Sequence, residues 1–156
     1  MSYTSNPTFV IVPGHWHTTS HLTPLVKALN DRGYRARSQQ LHSVGGKSTR
    51  PTFSDDVCVI YAAITRELIQ GNDVCLVVHS YAGMPGAEAI NKIISDGALE
   101  PGSGRGRLLR AVFIAAYTFP ANFVMDVRAM LGPDNPAFDI DVPLTHSSPT
   151  LSMIQS

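Results

Sequence analysis

The sequence predicts an α/β fold: a mainly parallel sheet flanked by helices. Between residues 9 and 117, short apolar runs alternate with segments of helical periodicity. Such alternation implies right-handed crossovers between parallel strands, with helices on both faces of the sheet. The most apolar run, Val74 to Val78, passes into His79 without a polar loop, as a buried strand followed directly by a helix would. A length of 156 residues suits a single domain.

The first strand and helix occupy the amino-terminal part of the chain. Phe9 to Val12 is an apolar, β-branched run closed by Pro13-Gly14, which predicts a strand buried on both faces. Ser20 is the predicted cap of the following helix, and Gly33 is its stop signal. The apolar positions of this helix are Leu22, Leu25, Val26 and Leu29.

The second strand and helix follow after Gly33-Tyr34. Arg35 to Leu41 alternates polar and apolar residues, which predicts a half-covered strand at a sheet edge. Residues 42–53 are predicted to form a loop, and Ser54 to cap the second helix. Asp55 and Asp56 lie where the helix dipole favours negative charge. The buried stripe of this helix comprises Val57, Ile60, Tyr61, Ile64 and Leu68, and Gly71 ends it.

The third and fourth strands complete the readable pattern. Val74 to Val78 is the third strand, and the helix after it tolerates Pro85 in its first turn. Its apolar contacts are expected from Ile90, Ile93 and Ile94. Residues 96–107 form a glycine-rich loop before a strand over Ala111 to Ala116. We divide the chain into an extension (1–8), a core (9–126) and an irregular tail (127–156).

Composition excludes several classes of function. Twelve Lys and Arg balance twelve Asp and Glu, so the chain lacks the basic excess that nucleic-acid binding requires. No apolar run is long enough to span a bilayer, and the amino terminus does not resemble a signal peptide. We expect no membrane association and a cytoplasmic protein. The two cysteines suggest neither disulfides nor a zinc site, so we expect no metal and no cofactor.

Ser80 is the candidate nucleophile. A serine on a sharp turn between strand and helix exposes its Oγ at the carboxyl edge of the sheet, and small neighbours allow close packing of the turn. Ala82 and Gly83 are those neighbours here. The backbone NH of Tyr81 is one candidate oxyanion donor. The alternative is a serine that only closes a strand and caps a helix.

The loop after the first strand supplies the second candidate donor. The backbone NH of His15 should lie beside Ser80, and Gly14 gives the backbone freedom to present it. Trp16 and His17 are candidates to line a substrate pocket. Trp16 is as well explained by partly buried packing, and His17 by capping a turn. A metal site using His15 and His17 lacks a third ligand at a recognisable spacing.

Three segments together resemble the α/β-hydrolase superfamily: Phe9 to His17, Ser54 to Val57, and Val77 to Gly83. They are similar to compact members found among fungal hydrolases and plant methylesterase or hydroxynitrile-lyase proteins. The resemblance covers residues 9 to about 126 and implies the spatial strand order second, first, third, fourth. Two positions depart from the family pattern: Val78 replaces a glycine, where its branched side chain would crowd the turn, and Pro13 replaces a histidine.

The resemblance implies an incomplete hydrolase fold of about four strands, truncated at its carboxyl end. In the family, the catalytic acid and histidine follow later strands. Asp139, Asp141 and His146 have the right chain order, but we assign them no role because no strand fixes them. We expect a serine-type hydrolase acting on an ester or related acyl bond of a small molecule, impaired if those residues are missing. A lyase would use the same pocket.

Two alternatives remain open. In the first, the chain is a non-catalytic, truncated relative of the hydrolases that binds a small molecule or a partner chain. Its fourth strand would then be an open edge for a homodimer or a complementing chain. Alternatively, the residues after about Asp141 come from an unrelated reading frame, through an error of gene prediction or splicing.

Overall fold

A computed structural model describes residues 6–45, 51–97 and 104–118. In these ranges four strands form one parallel sheet: β1 (Thr8–Val12), β2 (Arg35–Ser38), β3 (Val74–His79) and β4 (Leu108–Ile114). Their order in space is β2-β1-β3-β4, as the resemblance implied. The predicted class, an α/β fold with a partial hydrolase-type sheet, is confirmed.

Helices cover both faces of this sheet. On one face, α2 (Phe53–Ile69) and α3 (Gly83–Ser95) pack over the larger apolar core. On the other face, α1 (Thr23–Asn30) packs over a smaller core that includes Ile11 and Val77. The β1 and β3 strands therefore lie between two apolar layers, which explains their nearly unbroken apolar sequences.

Two predicted helix starts were wrong. Helix α2 begins after Thr52 instead of at Ser54: the Thr52 hydroxyl accepts from the Asp55 amide at 3.3 Å, and the Asp55 carboxylate accepts from the Thr52 amide at 2.7 Å. This reciprocal capping box satisfies amides that a single serine would leave unpaired. Ser20 caps no helix, because it lies inside a 3₁₀ turn (Thr19–Leu22) that leads into α1.

Strand ends and two side chains also differ from expectation. Strand β2 ends at Ser38 instead of Leu41, and β4 spans Leu108–Ile114 instead of residues 111–116. Leu25 and Ile94 were expected in the core but are 41% and 60% exposed. Both lie on the flank of a helical stripe, where sequence periodicity alone does not separate core from rim. The predicted tail (127–156) and the residues Asp139, Asp141 and His146 lie outside the described residues.

Ion pairs gather at the amino end of the sheet. Glu67, near the end of α2 and only 1% exposed, forms ion pairs with Arg37 at 3.1 Å and Arg35 at 3.5 Å. Asp73, just before β3, pairs with Arg107, just before β4, at 2.8 Å. The polar face of β2, predicted as half-covered, carries these two arginines, which remain about half-exposed. These ion pairs restrain the amino ends of β2, β3 and β4.

Candidate active site

Ser80 lies at the junction of β3 and α3. A three-residue 3₁₀ turn, Ser80–Ala82, connects the last residue of the strand to the first residue of the helix. The backbone φ of Ser80 is 53°, in the left-handed region that a serine rarely adopts. Such a conformation costs about 1–3 kcal/mol and is typical of functional turns. The backbone therefore makes the sharp turn that the sequence predicted at this position.

Two glycines let other segments approach this turn closely. A Cβ on Gly14 would lie 2.8 Å from the Ser80 Cβ and 3.2 Å from the His79 carbonyl oxygen. A Cβ on Gly83 would collide with the Tyr117 carbonyl oxygen. The loop after β1 and the chain after β4 thus both press against the turn, and any larger residue would separate them. Ala82, also predicted as a small neighbour, is completely buried.

The fold accommodates the branched side chain of Val78 beside Gly86. Val78 is completely buried in β3, at the position where a β-branched residue was expected to crowd the turn. A Cβ on Gly86 of α3 would lie 2.8 Å from the Val78 Cγ1. The missing side chain at Gly86 accommodates the branched one at Val78. The departure from the family pattern at Val78 is therefore compensated by Gly86, which lies one helical turn into α3.

The two candidate oxyanion donors are the amides of His15 and Tyr81, two residues whose rings lie close together in space. The Tyr81 amide lies in the first helical turn after β3, where backbone NH groups have no acceptor within the helix. The rings of His15 and Tyr81 lie 5.3 Å apart, centre to centre. Burial lowers the pKa of His15, an effect that the Asp56 carboxylate opposes. The assignment of both amides as donors stays a prediction.

The loop after β1 is itself a tight turn. The His17 amide donates to the Gly14 carbonyl at 3.1 Å, and Trp16 between them has a φ of 64°. Positive φ at the third residue of such a turn normally selects glycine. Trp16 is 61% exposed, and its ring centre lies 4.6 Å from that of His15. Its role as a pocket wall or as a packing residue stays a prediction. An exposed aromatic ring is held here at the cost of backbone strain.

His17 lines a cavity of about 250 Å³ on the α1 side of the sheet. The His17 Nδ1–H donates to the His15 carbonyl at 3.0 Å, and its ring contacts those of His21 and His79. The cavity reaches His79 but not Ser80. His21 also lines the cavity, and the remaining walls are apolar: Ile11, Val12, Pro13, Leu22, Leu25, Val77 and Ile114.

Asp56 is the residue of this region that the sequence analysis underestimated. It was predicted as a charge at a helix start, yet it is completely buried. Its carboxylate accepts from the Tyr81 hydroxyl at 3.1 Å and from the Ser43 amide at 2.9 Å. Helical spacing contained the signal, because Asp56 precedes the buried residues Ile60 and Ile64 by one and two turns.

The backbone of Ser80 is fixed by the chain that follows β4. The Ser80 carbonyl accepts a hydrogen bond from the Tyr117 amide at 3.1 Å.

Within residues 6–45, 51–97 and 104–118, no three His, Cys, Asp or Glu side chains cluster as metal ligands would. Nor does any helix of the described chain have the length and hydropathy to cross a membrane.

Comparison with known proteins places this geometry in a family. Residues 9–153 match the sequence profile of the Alpha/beta hydrolase family. The Alpha/beta hydrolase nvfD of Aspergillus novofumigatus (strain IBT 16806) is 33% identical over 114 residues, which are 73% of this chain and 44% of that protein. The chain thus spans less than half the length of this curated relative.

Solved structures with the same fold include plant and bacterial proteins. Polyneuridine aldehyde esterase matches with a TM-score of 0.58 at 20% identity, over 77% of this chain and 44% of its own. An extracellular α/β-hydrolase from a Paenibacillus species matches with a TM-score of 0.58 at 18% identity, over 76% and 44%. Tomato methylketone synthase I matches with a TM-score of 0.53 at 21% identity, over 75% and 42%. The chain belongs to the α/β-hydrolase family.

Proposed function

We propose that this chain carries the nucleophile and the oxyanion site of a serine-type hydrolase acting on an ester or related acyl bond of a small molecule. The observation that supports this most directly is the strained Ser80 at the end of β3, with Gly14 packed against it. A serine that only capped a helix would need neither the positive φ nor the close approach of the β1 loop. Strain of this kind is kept where a turn must present a reactive group.

In the proposed reaction, Ser80 Oγ attacks the acyl carbon while its proton passes to a histidine acting as general base. The carbonyl oxygen becomes an oxyanion that the amides of His15 and Tyr81 stabilise. Collapse of this intermediate breaks the ester bond, and the alcohol leaves with the proton from the histidine. Water then releases the acid from Ser80 by the same steps. We leave the histidine and its acidic partner unassigned.

The test is hydrolysis of a short p-nitrophenyl ester by the full chain and its Ser80→Ala variant. Loss of the nucleophile should lower kcat/KM by about 10³-fold or more. Ser95→Ala is the matched control, because Ser95 is exposed at the far end of α3 and its hydroxyl donates to the Lys92 carbonyl. Hydrolysis that is unchanged in Ser80→Ala, or that the wild-type chain lacks, would contradict the proposal.

The alternative is a non-catalytic protein that binds a small molecule or a partner chain. It is favoured by the edge position of β4, whose residues Val112, Phe113 and Ile114 are 40%, 37% and 47% exposed. Apolar edge strands are templates for pairing with another chain. A homodimer or complementing chain at this edge stays a prediction, as do a small-molecule substrate and a cytoplasmic location.

A further inference from the structure

A buried carboxylate lies behind the candidate oxyanion site. Asp56 is 0% exposed, although most aspartates remain at the surface. Among the described residues, no lysine or arginine forms an ion pair with it. Its hydrogen-bond donors are the Tyr81 hydroxyl and the Ser43 amide. Neutral groups therefore hold this carboxylate.

Burial of such a group is costly, because a carboxylate loses its water and gains only partial compensation from neutral donors. An apolar residue at this position of α2 would continue the stripe formed by Ile60 and Ile64. A costly polar group beside Ile60 and Ile64, without the arginine partners that Glu67 has on the same helix, indicates a role beyond packing.

The contacts of Asp56 lead to both candidate donors. Tyr81, whose hydroxyl it binds, directly follows Ser80 and carries one of the amides. Burial, together with the charge of Asp56, raises the pKa of Tyr81, so the phenol stays protonated and able to donate. The Tyr81 ring in turn contacts the ring of His15, which carries the other amide. The Asp56 carboxylate is thus linked, through Tyr81, to both residues that carry the candidate donor amides.

We propose that Asp56 is a positioning residue of the oxyanion site. By holding the Tyr81 hydroxyl, it fixes the side chain of Tyr81 and, through the tilted contact between the two rings, that of His15. Their amides then keep a constant direction toward the space beside Ser80. The inference rests on the proposed hydrolase function for its catalytic meaning, but the positioning itself is a property of the folded chain.

The competing explanation is that Asp56 only stabilises the fold by fixing the loop at Ser43. The two explanations differ in what the Tyr81 hydroxyl does. Under positioning, loss of this hydroxyl lowers kcat and leaves KM nearly unchanged, because donors that act on the oxyanion matter most in the transition state. Under the structural explanation, loss of the hydroxyl changes stability alone.

The test compares two tyrosines that both donate to aspartates. Tyr81→Phe removes the bond to Asp56, and Tyr61→Phe removes a 2.9 Å bond to Asp96 between α2 and α3, away from Ser80. We expect Tyr81→Phe to lower kcat for a p-nitrophenyl ester about tenfold, with KM within about twofold, since small displacements of donors weaken transition-state binding. Tyr61→Phe should leave both constants unchanged.

Substitution of Asp56 provides a second test, in which a conservative variant should restore the activity that the alanine variant loses. Asp56→Ala should reproduce the loss of kcat, whereas Asp56→Asn keeps an acceptor for Tyr81 and should stay within about threefold of wild type. Equal kcat in Tyr81→Phe and Tyr61→Phe would overturn the inference. So would an Asp56→Asn variant as impaired as Asp56→Ala, because charge and not the hydrogen bond would then be the important property.

A second readout does not depend on activity. In ¹⁵N–¹H spectra, the His15 amide signal should shift in Tyr81→Phe and in Asp56→Ala, and the Tyr81 amide signal in Asp56→Ala. Neither signal should shift in Tyr61→Phe. Unchanged amides would overturn the positioning inference even in an active enzyme. Shifted amides in a chain that lacks Ser80-dependent hydrolysis would support the positioning while refuting the hydrolase proposal, so the two failures are distinguishable.

Discussion

The two ends of the parallel sheet are built in opposite ways. At the carboxyl end, three non-glycine residues of the described chain have positive φ, and each follows a strand: Trp16 after β1, Ser80 after β3 and Ala115 after β4. At the amino end, charged side chains join the strands through Glu67 with Arg35 and Arg37, and through Asp73 with Arg107. One end holds strained backbone, and the other holds ion pairs.

This contrast separates the ion pairs that join the strands from the strained backbone at the candidate site. Strained conformations persist only when the surrounding structure holds them. The fixed amino ends of the strands, together with the buried layers of β1 and β3, supply that restraint. We therefore expect changes at the carboxyl end to affect mainly catalysis, and changes at the amino end to affect mainly the free energy of unfolding.

The largest effect is expected at Gly14. In Gly14→Ala the added methyl would meet the Ser80 Cβ at 2.8 Å, so the loop after β1 or the Ser80 turn must move. Because the nucleophile and a donor would both be displaced, we expect kcat/KM for a p-nitrophenyl ester to fall by about 10³-fold. Steady-state kinetics and thermal unfolding measured on the same samples check this.

Gly106→Ala is the matched control for that variant. Gly106 lies just before β4 at the amino end, where an added methyl would collide with the backbone of Asn72. It should lower the melting temperature while leaving kcat/KM of the folded protein unchanged. If Gly106→Ala impaired catalysis as much as Gly14→Ala, the proposed division between the two ends would be wrong.

An intermediate effect, on the free energy of unfolding, is expected when Glu67 loses its two arginine partners. In the double variant Arg35→Ala/Arg37→Ala, a carboxylate that is 1% exposed would keep only the 2.9 Å bond from Asn72. We expect the free energy of unfolding in urea to fall by about 2 kcal/mol, below the usual cost of breaking a buried pair because both arginines are half-exposed.

The exposed ion pair between Lys27 and Asp31 provides the comparison. Its side chains are 72% and 58% exposed, so Lys27→Ala should change the free energy of unfolding by less than about 0.5 kcal/mol. Equal effects of the two substitutions would show that burial of Glu67 contributes nothing. In both variants, kcat should remain that of wild type.

A smaller effect than that of the Arg35/Arg37 double variant is expected at Asp73, and it depends on pH. The hydrogen bonds from Arg107 hold the pKa of Asp73 below its usual value. The pair therefore stabilises the fold above the unfolded-state pKa of about 3.9, and this contribution disappears as the pH falls through the lower pKa of the folded state. Asp73→Asn should cost less than about 1 kcal/mol at pH 7, because Arg107 is 56% exposed.

Urea unfolding of wild type and Asp73→Asn between pH 2 and pH 7 measures this dependence. The two curves should converge as the solution becomes acidic. A gap that stayed constant down to the lowest pH would mean that Asp73 acts through its shape and not through its charge.

The sequence predicted the layout of the fold better than its boundaries. The four strands and their order followed from apolar runs and the family resemblance, because burial between two layers leaves a continuous signal. The start of α2 was missed because Thr52 and Asp55 cap it jointly, a pairing that a search for single serines overlooks. The exposure of Leu25 and Ile94 depends on neighbouring elements, which local periodicity does not contain.

At the candidate site, backbone features were more predictable than side-chain networks. The sharp turn at Ser80 was predicted from the strand that passes directly into a helix, and the Gly14 loop beside it from its position after the first strand. The bond between Asp56 and Tyr81 joins residues 25 positions apart, and nothing local to either one indicates it. The space that Gly86 leaves for Val78 is a tertiary relation of the same kind.

The hydrogen bond from Tyr117 to the Ser80 carbonyl joins the chain beyond β4 to the candidate nucleophile. The main chain of Ser80 is anchored on one side by β3 and on the other by this bond, so rotation of its side chain is the principal freedom left. For protein engineering, any change to the segment after β4 that removes this bond would therefore also release the backbone of Ser80.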